Sequence, residues 1–475
     1  MKVTHVSLRP TEAAIQAGAP ALTPELLAAT GARYSRNNEG LDQILSRIDP
    51  ANLDKSVDGI FRMIDYGHQS IADMAPVAMF LDGISQWLAF TIWNLCPSAS
   101  GQESSTRYIS MDLSTLPDPA TIGIPPEQHE AWRACMTTCF ETYDQSLALW
   151  QDLSEKFPEL MRIPRDLLDD PSDQARKKIA RLRRNYAFDR ARYFLPFASA
   201  TNVMMLMSAR GWVQLCQHLC AHPLPEAQSL GAAIRRELAL CAPRLMKHAT
   251  AKASIRSGMA AASAALQREA IATGLPAHLR YNVAGSNTEH PPTARLAMTP
   301  PAGVGDADFA ADLAMHDNRY AWIGDSLRRT AVRFAWDAVA LAEIRDLNRH
   351  RTGNRHCALR PLGFYAAQDE SPPQAGPDTA AWLAHLAEPG RAATARAHAL
   401  LAAGDPTYVY WMPLGAQCFF EHLTTADKFI YEAELRTGQG AHYRYARHLH
   451  DALALWYEKY PATRTLILEG QAEPE

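Results

Sequence analysis

Arg345-Asp346-Leu347-Asn348-Arg349-His350-Arg351-Thr352-Gly353 brings a histidine between two arginines just after an apolar run, Phe334 to Ile344. The spacing of that run predicts a helix leading into the basic stretch. Arginine stays charged in a protein and offers a rigid fork of donors. Two such forks flanking a histidine make an anchor for phosphate groups. A solvated helix end would carry the same residues, so the meaning of the stretch depends on what accompanies it.

A chain of 475 residues suggests roughly two to three domains, and 47% apolar content supplies large cores. The net charge of -4, with a pI near 6.5, argues against a general nucleic-acid binder. Cysteines Cys135/Cys139 and Cys216/Cys220 are spaced i,i+4, and no CxxC occurs. Met1-Lys2-Val3-Thr4-His5-Val6 reads as a strand start rather than a targeting segment. Together these point to reduced thiols in a cytoplasmic protein. The apolar stretch from Ile71 to Leu95 is broken by Asp73 and Asp82 and reads as core, not as a membrane span. His448 and His450 fall on different faces of a helix, so no metal site is expected. Trp87, Trp212 and Trp456 read as core. Thr23-Pro24 suits a helix start. Val77 to Phe90 reads as a strand feeding a buried helix. Residues 366–390 are rich in Pro, Gly and Asp and read as loop.

Arg349-His350-Arg351 resembles the Arg-His-Arg signature of the flavin-dependent thymidylate synthases, the family that makes dTMP with FAD, NADPH and methylene-tetrahydrofolate. In that family Ser-x-Arg-Tyr follows after seven residues; here the count lands on Leu359, with Arg360-Pro361 behind it. The missing half stands elsewhere, as Ser105-Thr106-Arg107-Tyr108. Counting back from it reaches Asn94-Leu95-Cys96-Pro97, which carries no charge. The chain looks like two diverged copies of one domain in tandem, each keeping what the other has lost.

Further elements resemble the family in order. Ala32-Arg33-Tyr34-Ser35 is similar to its early "ARxxYS", and Tyr66-Gly67-His68-Gln69-Ser70 to its Gly-His-x-Ser turn. Gly83-Ile84-Ser85 matches "GxS", with Gln86 where Arg is usual. Asp189-Arg190-Ala191-Arg192-Tyr193-Phe194-Leu195-Pro196 resembles "(E/D)xARxxLP", and Ser208-Ala209-Arg210 stands where "NAR" is usual. In the second copy, Gly324-Asp325-Ser326 replaces the histidine turn. Glu434 to Arg444 is similar to "LRxxxxAQxEIR", which places Arg436 at the family's ring-activating position.

The resemblance implies an α/β (α+β) fold, helix-rich around a central sheet and present twice. The copies would occupy 1–250 and 301–465, with a linker at 251–300. It implies flavin-dependent C5-methylation of a pyrimidine nucleotide, dUMP or a close relative, with FAD as cofactor and NADPH and methylene-tetrahydrofolate as cosubstrates. Arg436 is the expected catalytic residue. Arg349, His350, Arg351, His68 and Ser70 are expected at the cofactor, and Ser105, Arg107, Arg192, Asp346 and Glu103 at the substrate. Asp346 stands where the family has a nucleotide-contacting Gln, so it could accept from an exocyclic amine or a hydroxyl. The implied assembly is a homo-oligomer, a dimer of pseudo-dimers, with neither nucleic acid nor membrane as partner. Two alternatives stay open: modification of a different nucleotide or small molecule, and a non-catalytic flavin- or nucleotide-binding homologue.

Overall fold

The structure is a computed structural model and describes residues 1–475 apart from 37, 39, 49–51, 66–68, 275–293 and 474–475. The chain is mixed α/β, rich in helices, with two antiparallel sheets. Its segments gather into two compact units that interleave along the sequence. Residues 1–104, 117–124 and 199–263 form the first, and 105–116, 125–198 and 264–475 form the second.

The sheet of the first unit contains β1 (Lys2–Val6), β2 (Pro76–Ser85), β3 (Ser100–Glu103) and β4 (Ala200–Ser208), in the order β1-β2-β4-β3. β2 runs against β4 from Pro76↔Ser208 to Leu81↔Val203, then bulges before Ile84, with Gly83 at a φ of 68°. The strand ends at Ser85, whose Oγ accepts from the Leu88 N–H at 3.0 Å and so caps the helix Gln86–Leu95. Glu226 accepts both the Ser85 N–H and its hydroxyl at 2.8 Å. The stretch from Ile71 to Leu95 is therefore a turn, a strand and a short helix. Among the described residues no helix is long and apolar enough to cross a membrane.

The sheet of the second unit contains β5 (Ala294–Thr299), β6 (Ala331–Ala340), β7 (Asn354–His356), β8 (Gly363–Phe364) and β9 (Ala416–Thr425). Its order is β5-β6-β9-β7, with β8 also on β9. β6 runs against β9 from Ala331↔Thr425 to Trp336↔Phe420, then bulges before Val339. The two sheets thus share strand order, pairing direction and the place of the bulge. In each, the long strand runs directly into a helix, Gln86–Leu95 or Leu341–Leu347. The last long strand does the same, into Ala209–Ala221 or Ala426–Thr437. The second core is aromatic, with Phe334, Trp336, Phe420, Phe429 and Trp456 all buried.

Two readings of secondary structure change here. Phe334 to Ala340 is strand, not helix; only Leu341–Leu347 is helical. A short continuous apolar run has no period that separates the two. Pairing with β5 and β9, and burial of every residue from Val332 to Ala340 except Arg333 and Asp337, decide it. Residues 366–375 are loop with two 3-10 turns, Gln368–Glu370 and Pro373–Ala375, but 376–390 are not, because the helix Gly376–Ala402 starts there and runs through Pro389. Pro at its first turn suits a helix start, and buried Leu383, Leu386 and Ala387 give it an apolar face. Within 251–300 lie the helix Ala253–Thr273 and the edge strand β5, and residues 275–293 lie outside the described residues.

In the second unit the helix His129–Lys156 packs against Asp173–Ala191 and Gly376–Ala402. That packing fixes the end of Asp173–Ala191, from which Asp189 and Arg192 project.

Gly353 closes the basic stretch before β7 at a φ of 89°, and a Cβ there would fall 2.0 Å from the Leu423 carbonyl oxygen. Gly18 also has a positive φ, 69°, but open space around it. G18A is expected to cost about 1 kcal/mol, from backbone alone, and G353A about 2–4 kcal/mol, from backbone plus overlap. Urea midpoints of the two variants check this, and equal midpoints would contradict the tight approach at Gly353.

Candidate functional site

The site grows from the helix Leu341–Leu347, all within the second unit. Glu343 fixes its start: Oε2 accepts the Ala340 N–H at 3.0 Å and Oε1 accepts the Tyr193 hydroxyl at 2.7 Å. Asp346, in the last turn, is buried. Arg192, in the 3-10 turn after Asp173–Ala191, donates to Asp346 Oδ2 from Nη1 at 3.1 Å and Nη2 at 3.0 Å. Arg349 Nη2 lies 3.7 Å from Asp346 Oδ1.

One turn before Arg192 stands Asp189. Its two oxygens accept from Arg107 Nε at 2.7 Å and Nη2 at 2.8 Å, a fork-to-fork pair. Arg107 Nη1 donates to the Gly440 carbonyl at 3.1 Å, and the Arg107 N–H donates to Ser105 Oγ at 3.2 Å. His442 caps the helix Tyr443–Lys459, Nδ1 accepting from the Arg444 N–H and Nε2–H donating to the Asp189 carbonyl, both at 3.1 Å.

Arg436 completes the cluster. Its Nε donates to His350 Nε2 at 2.7 Å, and Nη2 donates to the Asp346 carbonyl at 2.9 Å. His350 therefore keeps its proton on Nδ1, which faces Glu432 Oε2 at 4.0 Å. Glu432 Oε2 in turn lies 3.0 Å from His422 Nδ1, whose Nε2 donates to the Thr352 carbonyl at 2.7 Å. A carboxylate faces one nitrogen of His422 and a carbonyl the other, an arrangement that favours its imidazolium form.

Electrostatics follow from the contacts. Burial by itself would raise Asp346, but Arg192, then Arg349, Arg107 and Arg436 outweigh it and hold its carboxyl well below the usual range. Asp189 is likewise held low against its burial, chiefly by Arg107. Burial, reinforced by Arg436, pushes His350 down to about 3, although Glu432 pulls the other way. Burial and then Arg192 push His442 down to about 3. His422 is raised, because Glu432 overcomes its burial. Around Asp346, the guanidiniums of Arg107, Arg192, Arg349 and Arg436 face the carboxylates of Asp189 and Asp346, which leaves an excess of two positive charges.

Of the residues singled out in the sequence, Ser105, Arg107, Arg192, Asp346, Arg349, His350 and Arg436 come together. Asp346 faces Arg192 rather than open space. Arg351 is half-buried in the same stretch, and with burial its charge pushes Arg355 down to about 10. Ser70 and Glu103 belong to the first unit. Ser70 is exposed in the turn Gln69–Met74, and Glu103 accepts from Trp93 Nε1 at 3.1 Å. His68 lies outside the described residues. Sequence reasoning gave no role to Asp189, Glu432, His422 or His442. Only Asp189 left a signal: it stands at the acidic position of the "(E/D)xARxxLP" resemblance, and its spacing from Arg192 puts both on one helix face.

Beside Arg107 and Asp189 a cavity of ≈ 20 Å³ has room for about one water. The first unit holds a larger one of ≈ 430 Å³, lined in part by Gln69, Arg210, Gln214, Lys247, His248 and Lys252. Arg210 is held there by Asp73 at 2.7 Å.

The buried histidines set a pH dependence. His350 and His442 titrate near 6.5 when unfolded and near 3 when folded. The unfolded chain takes up protons first, so their contribution is complete above about pH 6.5 and is lost as pH falls towards 3. Asp189 and Asp346, also lowered, add to the loss at still lower pH. His442→Asn keeps a capping acceptor and removes one titrating group. Its stability in urea should fall less steeply between pH 6.5 and 4 than that of the wild type; an unchanged slope would contradict the assignment.

Comparison with known proteins comes down to part of the chain. Over 223 residues it is 24% identical to the UPF0159 protein Ta1429 of Thermoplasma acidophilum, covering 43% of this chain. The chain spans 45% of that relative's own length. A crystal structure of the UMP/dUMP methylase PolB from Streptomyces cacaoi, bound with 5-Br dUMP, aligns over 52% of this chain and 93% of that one, at 15% identity and a TM-score of 0.31. Residues 21–244 match the family model described as "Thymidylate synthase complementing protein", so this part of the chain carries a domain of that family.

Proposed function

We propose that the chain is a fused duplication of that domain and that it methylates C5 of a pyrimidine nucleotide, dUMP or a close relative, with the help of a flavin. One observation carries the reading. Arg107 and Arg192, from the family-matching stretch, and Arg349, His350 and Arg436, from the later one, meet in a single cluster within one compact unit. The shared strand order and bulge of the two sheets support the duplication.

The residues suit the chemistry. A phosphate monoester carries about -1.5 to -2 charges at neutral pH, which the two-charge excess around Asp346 complements. Arg107 and Arg192 bind the phosphate, and Asp189 and Asp346 hold their forks in place until it arrives. Methylation at C5 needs the ring to become nucleophilic. Arg436 beside N3 and O2 stabilises the anionic ring, and in a buried, water-poor site such a fixed charge is worth far more than in water. Neutral His350 accepts from Nε and thereby aims the rest of that guanidinium.

The cationic residues also fit a flavin nucleotide. Arg349 is exposed at the edge of the cluster and half-buried Arg351 follows it, two cationic side chains of the kind a pyrophosphate requires. Arg349 and Arg351 would hold FAD, which when bound would take reducing equivalents from NADPH and pass them to the one-carbon unit drawn from methylene-tetrahydrofolate. Closure of the Arg107 and Arg192 forks by aspartates favours a second reading, a flavin- or nucleotide-binding homologue without turnover.

The visible spectrum of the purified protein with FAD, before and after dUMP, tests the first reading. Bound flavin perturbed by dUMP, with dTMP formed on adding NADPH and methylene-tetrahydrofolate, is expected. R436Q should keep the flavin and slow turnover about 10²- to 10³-fold, whereas R349A should weaken FAD binding. Bound ligands without product would favour the second reading, no flavin binding would overturn the first, and binding of neither flavin nor dUMP would overturn both.

A further inference from the structure

A cavity of ≈ 310 Å³ in the second unit, which shares Glu473 with the small one beside Arg107 and Asp189, is lined by Arg162, Arg190, Tyr443, Arg447, His450 and Glu473, among others. Arg190 is 1% exposed, with its guanidinium 3.4 Å from the centroid of Tyr186 and 4.2 Å from that of Tyr443. Held between two rings, it presents a fixed edge. Nη2 donates to Glu370 at 3.1 Å and Nη1 to Glu473 Oε1 at 3.0 Å, while Nε has no hydrogen-bond partner among the described residues. A fork of this kind, partly unsatisfied and immobile, recognises planar oxyanions.

Glu473 reaches it by an unfavourable path. Ala472 and Glu473 have φ of 32° and 42°, two successive non-glycine residues in the left-handed region that L-residues rarely adopt. The backbone is pinned on the way: Arg162 Nη1 donates to the Gln471 carbonyl at 3.2 Å and the Ala472 N–H donates to the Thr437 carbonyl at 2.6 Å. Removing Glu473 would not strand a buried charge, because Arg190 keeps Glu370. It would raise the excess of arginines over glutamates in the lining from one to two.

We propose that this cavity binds a small carboxylate ligand, and that Glu473 occupies the carboxylate position as an internal substitute that the ligand displaces. The carboxylate already seated on Arg190 defines the chemistry, and the cavity volume lies at the small end of ligand sites. The proposal goes beyond the methylation reading and needs no flavin or nucleotide.

The test titrates glutarate, and separately inorganic phosphate, into the full chain by calorimetry. E473A and E473Q, which remove the competing charge, should bind glutarate at least about tenfold more tightly than the wild type, since a tethered competitor acts at a high effective concentration. R447A in the E473A background should weaken glutarate severalfold. Equal affinity in wild type and both Glu473 variants, or no binding in any of them, would overturn the proposal. Tighter binding of phosphate than of glutarate would overturn it in favour of a phosphate site.

Discussion

The buried pairing of Arg192 with Asp346 holds the rest of the site in register. Both side chains are almost wholly removed from water, and neither charge would be tolerated there alone. Because Asp346 must meet Arg192, the helix after β6 is docked against the end of Asp173–Ala191. From that contact the network extends both ways. Asp189, one turn earlier, fixes Arg107, and the Asp346 carbonyl fixes Arg436, which settles the tautomer of His350. Beyond His350, Glu432 and His422 close the chain on the Thr352 carbonyl. Residues more than three hundred positions apart, Arg107 and Gly440, are brought within a hydrogen bond by the same docking.

How much of this was legible depended on distance along the chain. The strand and capped helix across Val77 to Phe90 follow from a local pattern and a local cap at Ser85. The basic stretch, and its separation from Ser105-Thr106-Arg107-Tyr108, stood in plain view. Phe334 to Ala340 did not, because partners supplied by β5 and β9 decided between helix and strand. The helix from Gly376 was hidden by Pro377 and Pro389, residues more often met in loops. Glu432 and His422 carry no sequence signal, since each acquires meaning only from the other and from His350. Asp346 stands out in the sequence as an oddity, but that it meets an arginine can be read only from the fold.

A site built this way is balanced rather than open. Each arginine meant for an anion already holds a carboxylate or a carbonyl, so a ligand gains only the difference between its own contacts and those it replaces. The same balance keeps the site from burying bare charge. Two excess positive charges remain to draw in a phosphate.

The central claim is that residues from the two halves of the chain act on one ligand. A double-mutant cycle on dUMP affinity with R107Q, R436Q and the double variant tests it most directly. One shared site predicts a coupling of about 1 kcal/mol or more, as for residues in one network. Effects that add to within about 0.5 kcal/mol would contradict it.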